Sequence, residues 1–299
     1  MGFLPKNADI LPPCDDRVFK LILTPEESKP ILIDLLTSVL HRRVTDVAVR
    51  NNEIPPEHSQ ERAERLDLNC MIDDGTQVDV EMHAHRIEEK PGGKNENVKG
   101  KTIYYLCDLH SSQPCKGKKR YDLLSRTCQI TFCFYTVFPE RKEFVNSFSL
   151  RHDIDNELLS DAIHIVFVEL SKLREVMKKP VSDMTDLEKW AIFFRYADDP
   201  KYRETVNEVI ASKEALKMAG NRLMSISQDE RERAVMRSRR MAETDLESNL
   251  ATAWDNGLEE GIQRGRREMA RLMLANGEPE DKIMQYTGLS RSEIKKLRN

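Results

Sequence analysis

The stretch from Arg65 to His83 constrains this chain most. Arg65-Leu66-Asp67 opens an alternating run, the turn Asp73-Asp74-Gly75-Thr76 interrupts it, and Val78-Asp79-Val80-Glu81-Met82-His83 resumes it. Two-residue alternation on either side of a glycine turn predicts a β-hairpin. Leu66, Leu68 and Cys70 alternate with Asp67, Asn69 and Met71, and Val78, Val80 and Met82 alternate with Asp79, Glu81 and His83. Asp67 and Glu81 are therefore expected to project on one face, away from an apolar layer. Hard carboxylate oxygens gathered in this way suit Mg²⁺ or Mn²⁺, with an imidazole two residues further on. The chemistry they imply is phosphodiester hydrolysis.

At these residues the chain resembles the PD-(D/E)xK nuclease-like transposases, also called recombination-promoting (Rpn) nucleases, and the resemblance extends over most of its length. Asp16-Arg17-Val18-Phe19-Lys20 and Ile31-Leu32-Ile33-Asp34-Leu35-Leu36 are similar to the family's opening helices. Lys101-Thr102-Ile103-Tyr104-Tyr105 and the segment from Lys116-Gly117 to Tyr121-Asp122-Leu123 are similar to the helix and turn after its metal strand. The run from Ile163 to Leu170 resembles the strand before its helical region.

The resemblance implies an α/β fold, a restriction-endonuclease-like mixed sheet flanked by helices with a helical C-terminal region. It also implies a metal-dependent DNA endonuclease of low sequence preference. Asp67 matches the metal-binding aspartate and Glu81 the acidic residue of the (D/E)xK pair. His83 stands where the superfamily has lysine and this family often has glutamine. That is a departure: a neutral histidine can accept a proton from water or hydrogen-bond to it, whereas lysine orients water and offsets charge. The same departure motivates an alternative, a nuclease-fold protein without turnover that binds DNA or a partner. Asp16 matches a position from which related nucleases supply a further acidic residue, with helix capping as its other reading beside Asp15. His85 continues the His83 face as a surface histidine.

Other chemistries find no pattern. There is no glycine-rich phosphate loop followed by lysine and no GxSxG elbow, and Cys70, His83 and Asp79 form no local nucleophile signature. The six cysteines lack the paired spacing of a zinc site and read as buried, reduced thiols. No apolar run approaches a bilayer span, so a cytoplasmic protein is expected. The formal net charge of -4 leaves DNA binding to local basic patches and to metal.

At 299 residues there is room for one sizeable core and an appended module. The expected division is a nuclease-like core over 1–180, a helical extension over 181–256 and a C-terminal helical module over 257–299. Thr24-Pro25-Glu26-Glu27 predicts a capped helix start with Ile31, Leu35, Val39 and Leu40 on its apolar stripe. Residues 51–59 and 89–97 read as loops, and 98–110 as a helix presenting Ile103, Leu106 and Leu109. Residues 127–138 give the best buried strand. Thr185-Asp186-Leu187-Glu188 caps a further helix carrying Trp190, Ile192, Phe193 and Phe194. Arg231, Arg233, Arg237, Arg239 and Arg240 form a basic patch on a later helix. Gly257, Gly261 and Gly265 recur every four residues, which reads equally as a weak, bent helix or as a close contact with another helix, and the C-terminal helices are where a homo-oligomer would form. Gly277, Pro279, Thr287-Gly288 and the cap Ser290-Arg291-Ser292-Glu293 mark two short helices of helix-turn-helix character. Arg291, Lys295, Lys296 and Arg298 are available to phosphates there, the other reading being a helix hairpin that merely packs.

Overall fold

Residues 127–133 are buried at every position, so this segment needs cover on both faces and a neighbour at each edge. The computed structural model, which describes residues 3–50, 68–83, 96–113 and 121–298, supplies both. Among the described residues the strands are β1 (Val47–Arg50), β2 (Leu68–Ile72), β3 (Gln77–His83), β4 (Thr127–Cys133), β5 (Val145–Arg151) and β6 (Leu158–Glu169). They form one mixed sheet in the order β1-β2-β3-β4-β6-β5. The pairs β1/β2, β2/β3 and β5/β6 are antiparallel, and β3/β4 and β4/β6 are parallel. The parallel step from β3 to β4 requires a crossover, which contains α3 (Glu96–Ser111).

One face of the sheet is apolar. Val78, Val80 and Met82 pair with Cys128, Ile130 and Phe132. The first helices pack on the same side, α1 (Asp16–Leu23), α2 (Lys29–Leu40) and α4 (Asp186–Tyr196). Phe19, Phe132 and Phe194 meet there with ring centroids 5.4 to 6.5 Å apart. Trp190 stacks on Phe194 and donates its indole N–H to Asp34 Oδ1 at 2.8 Å, and Lys213 completes the link to Asp34 at 2.7 Å. Then α5 (Arg203–Ala211) and α6 (Glu214–Gln228) close the layer. Gly220 lets them approach, since a Cβ there would stand 3.0 Å from two Ile210 carbons. The amino-terminal segment straps across these helices. Leu4 exchanges two hydrogen bonds with the Asn207 side chain, and the Leu11 N–H donates to Ser227 Oγ.

The helix expected to start at Thr24 does not start there. Asp15 caps α1, and the Thr24 hydroxyl donates back to the Lys20 carbonyl, so Thr24 ends α1 instead of opening the next helix. Glu26 to Ser28 form a single 3₁₀ turn, and α2 begins at Lys29 with Pro30 in its first turn. Ile31, Leu35 and Val39 are buried along it as expected. In α3, Leu106 and Leu109 are buried while Ile103 is 53 % exposed, so Ile103 leaves the expected apolar stripe. The Thr185 capping box is present, with Glu188 reaching back to the Thr185 N–H. Cys14, Cys70 and Cys128 are buried free thiols pushed up to about 12 by burial, and Cys107 is exposed.

By contact the chain divides into residues 1–230 and 231–299. The second unit is built from α7 (Glu230–Ala275), α8 (Glu280–Thr287) and α9 (Arg291–Lys296). Gly277 and Gly288, at φ +75° and +71°, supply the left-handed turns after α7 and α8. Ser290 and Glu293 form the capping box of α9. Ala270, Ile283, Leu289 and Ile294 make the small core of this three-helix arrangement. Among the described residues no helix is long and apolar enough to cross a membrane.

Candidate functional site

The second face of the sheet is polar yet buried. Alternation sets Gln77, Asp79, Glu81 and His83 opposite the apolar row, and register carries the polar row across to Asn69 on β2 and to Thr127, Gln129 and Thr131 on β4. The helix α3 covers this face. Thr102 on α3 stands 3.4 Å from Thr131, oxygen to oxygen, and His110 Nδ1 lies 2.9 Å from the Thr127 hydroxyl. Asn69, Asp79, Glu81, Gln129 and Thr131 are each no more than 3 % exposed. Gln129 donates to Asp79 Oδ2 at 2.5 Å, a short bond that fixes both side chains.

Glu81 is the centre of this layer. Its Oε2 accepts from His83 Nε2 at 2.8 Å and from Lys101 Nζ at 3.2 Å. Its Oε1 is buried, with no hydrogen-bond partner among the described residues. A buried carboxylate oxygen left so is costly unless a proton or a cation meets it. Because Nε2 of His83 donates to the carboxylate, the neutral ring keeps its lone pair on Nδ1 and can accept a proton there. Lys101 is partly exposed and lies over the Tyr105 ring, with its Nζ 5.0 Å from the centroid. Burial, the neighbouring Cys133 thiol and the Glu81 carboxylate push the Tyr135 hydroxyl up, so it stays protonated beside the site.

Of the residues singled out in the sequence, the structure brings Glu81 and His83 together. Asp67 and His85 lie outside the described residues, as do the loop 51–59 and residues 89–95 of the second expected loop, while Glu96 and Asn97, expected in that loop, open α3. Asp16 pairs with Lys20 at 3.1 Å in the first turn of α1, and Asp15 does the capping. Cys70 pairs with Val78 and so lies on the apolar face, which separates it from Asp79 and His83 and leaves the imagined nucleophilic set unassembled. Lys101 is the residue that sequence reasoning missed. It is twenty positions from Glu81 and joins it only through the crossover, so no strand periodicity signals it. Among the described residues no group of three or more His, Cys, Asp or Glu side chains is arranged to hold a metal. The hard, buried Oε1 of Glu81, without a hydrogen-bond partner among the described residues, fits a divalent cation.

In the C-terminal unit, Arg291 is bound to Asp281 at 2.5 Å and Arg298 to Glu280 at 3.1 Å. Lys295 and Lys296 are exposed on α9.

Comparison with known families gives two matches. Residues 13–253 match the PD-(D/E)XK nuclease family transposase model, and residues 263–299 match the C-terminal HTH domain of the Rpn/YhgA-like nuclease family. No curated protein and no solved structure matches the chain.

Proposed function

The chain belongs to the PD-(D/E)XK nuclease family transposases, and from that premise we propose a DNA endonuclease dependent on Mg²⁺ or Mn²⁺, hydrolysing phosphodiester bonds with little sequence preference, as in recombination. The observation that carries the proposal is the unpartnered, buried Oε1 of Glu81 beside two cationic or proton-accepting side chains. Asp67, which directly precedes β2 in sequence, and Glu81 would hold the metal. When bound, such an ion polarises a phosphoryl oxygen and lowers the pKa of attacking water.

The chain's own groups account for the rest. Glu81 orients His83 through Nε2, which leaves Nδ1 as the ring nitrogen that would accept a water proton. Lys101 brings the positive charge that lysine at position 83 would supply, and its ammonium offsets charge developing on phosphate. The helix-turn-helix unit holds DNA through Lys295 and Lys296, and through Arg291 and Arg298 where phosphates compete with Asp281 and Glu280.

The test is incubation with supercoiled and linear DNA, with and without Mg²⁺ or Mn²⁺. Asp67→Ala and Glu81→Ala should each cut cleavage by several orders of magnitude, roughly the scale of losing a metal ligand. Cleavage persisting in either variant, or in excess chelator, would exclude the mechanism.

A second reading is a fold retained for binding without turnover, and His83 in place of lysine is what favours it. His83→Lys separates the two. Cleavage that appears only in that variant assigns the natural chain to binding.

A further inference from the structure

A guanidinium held by aromatic rings instead of carboxylates stands at the end of the sheet that carries Glu81 and His83. The strand β4 runs parallel to β3 and sets Cys133 beside His83. The next residue, Phe134, donates its backbone N–H to the His83 carbonyl at 3.1 Å. Arg195, in the last turn of α4, lies over Phe134 with its guanidinium carbon 4.9 Å from the ring centroid, and the same carbon is 5.2 Å from the Tyr196 centroid. Arg195 therefore reaches the carboxyl end of β4 from the α4 layer, whereas Lys101 reaches Glu81 from α3 on the other face of the sheet.

Three other arginines of the first unit are taken up by acids or carbonyls. Arg42 is held by Asp74, Arg222 by Glu27 and the Leu21 carbonyl, and Arg203 by the carbonyls of Ala197 and Ala8. Among the described residues Arg195 has neither kind of partner, and its Nε is buried with no hydrogen bond. Burial dominates at the Cys14 thiol, which also senses Asp198, Asp15 and Arg195. Carboxylates thus lie in the neighbourhood and still leave the cation to the rings.

A cation in the last turn of a helix complements the helix dipole. That role asks only for charge. Two flanking rings do more: they orient the guanidinium plane and remove part of its water while offering no lone pair to its N–H groups. A planar, weakly hydrated cation of this kind fits phosphate, whose oxygens accept two parallel N–H bonds. The rings also continue away from the strand end. Tyr196 and Tyr202 have centroids 4.3 Å apart, and the exposed Lys201 lies over Tyr202 with its Nζ 5.4 Å from the centroid. Ligands of open α/β sheets lie outside the carboxyl ends of the strands, which is where this row begins.

We propose that Arg195 is a DNA-binding residue that grips a backbone phosphate of the substrate strand, flanking the phosphate at Glu81. The identity of the ligand rests on the nuclease reading above. The strand would cross the end of the sheet with Lys101 on one flank and Arg195 on the other, and Lys201 would come next along its path.

Fluorescence anisotropy of a short fluorescein-labelled DNA duplex, in excess chelator, reads binding by the full chain without cleavage. Arg195→Met keeps an apolar chain over the rings and removes the charge. It should raise the Kd roughly 10-fold and make the logarithmic salt slope shallower by about 1, the signature of one lost phosphate contact. Arg195→Lys should recover the slope and only part of the affinity, because an ammonium cannot grip bidentately. A residue that only steadied α4 would lower the melting temperature of Arg195→Met and leave the salt slope at its natural value, and that result would overturn the proposal. Natural protein that binds the duplex but shows no metal-dependent cleavage would remove the nuclease reading and leave the Arg195 contact standing. Natural protein that binds no duplex would remove both.

Discussion

Lys101 reaches Glu81 from α3, whereas the family pattern carries its third group two residues beyond the acid on the same strand. If its ammonium offsets charge on phosphate, Lys101→Met should lower cleavage by about 10²- to 10³-fold, the scale of one preorganised electrostatic contact. The same variant should bind Mg²⁺ more tightly, because a competing cation leaves Glu81 Oε2; titration calorimetry reads this. A residue that served only as scaffold would lower the melting temperature without strengthening metal binding. Glu169 is a second residue that its strand pattern left unnoticed. Fully buried at the end of β6, it accepts from the Val137 and Phe138 N–H groups at 2.7 and 3.1 Å, and from Asn146 and Lys172, both at 2.8 Å. Glu169→Ala strands two backbone donors and an ammonium, so urea denaturation should show a loss of about 3–5 kcal/mol. Alternation in sequence identified the face of Glu81 and His83, because it is a property of one strand. It said nothing of Lys101 or of the bonds at Glu169, which depend on chain brought in from elsewhere.

At the scale of elements, punctuation was legible and context was not. The Asp73–Thr76 turn, the Thr185 and Ser290 boxes and the left-handed Gly277 and Gly288 are all where local chemistry predicts them. Thr24 had the same credentials and lost them to a nearer acceptor, the Lys20 carbonyl. The strands β1 and β5 escaped detection because each sits at a sheet edge with mostly exposed or half-buried residues, so neither alternates strongly. The hairpin turn makes a pH-dependent contribution. The Arg42 guanidinium, 2.6 Å from Asp74, holds that carboxyl well below the usual aspartate range. A carboxyl lowered by folding stabilises fully above its unfolded value of about 4, and that stabilisation is lost as pH falls through the folded value. Melting temperature should thus decline on acidification below about pH 4 more steeply in the natural protein than in Arg42→Gln. Parallel curves for the two proteins would remove Asp74 from the account.

For the whole molecule, the mixed α/β sheet followed by helices is the fold class expected from the sequence and its family resemblance. The expected divisions at 180 and 256 came from changes in composition, whereas contact divides the described chain at Glu230, because α4, α5 and α6 share the first unit with the sheet. We expect removal of Gly257 to Asn299 to leave a folded core that still requires metal and both carboxylates, and to weaken DNA binding. The logarithmic salt slope of that binding should become shallower, since fewer lysines and arginines displace counterions. Equal affinity and equal slope in filter binding would show that the C-terminal module does not contact DNA. The strap formed by the first residues also sets an order of events during synthesis. Leu4 and Leu11 find their partners only at Asn207 and Ser227, more than two hundred residues later. Leu4 can therefore be fastened only after α5 has been made, and Leu11 only after α6. A newborn chain thus reaches its finished state by having its start tied to what was made much later, like a drawstring closed at the end.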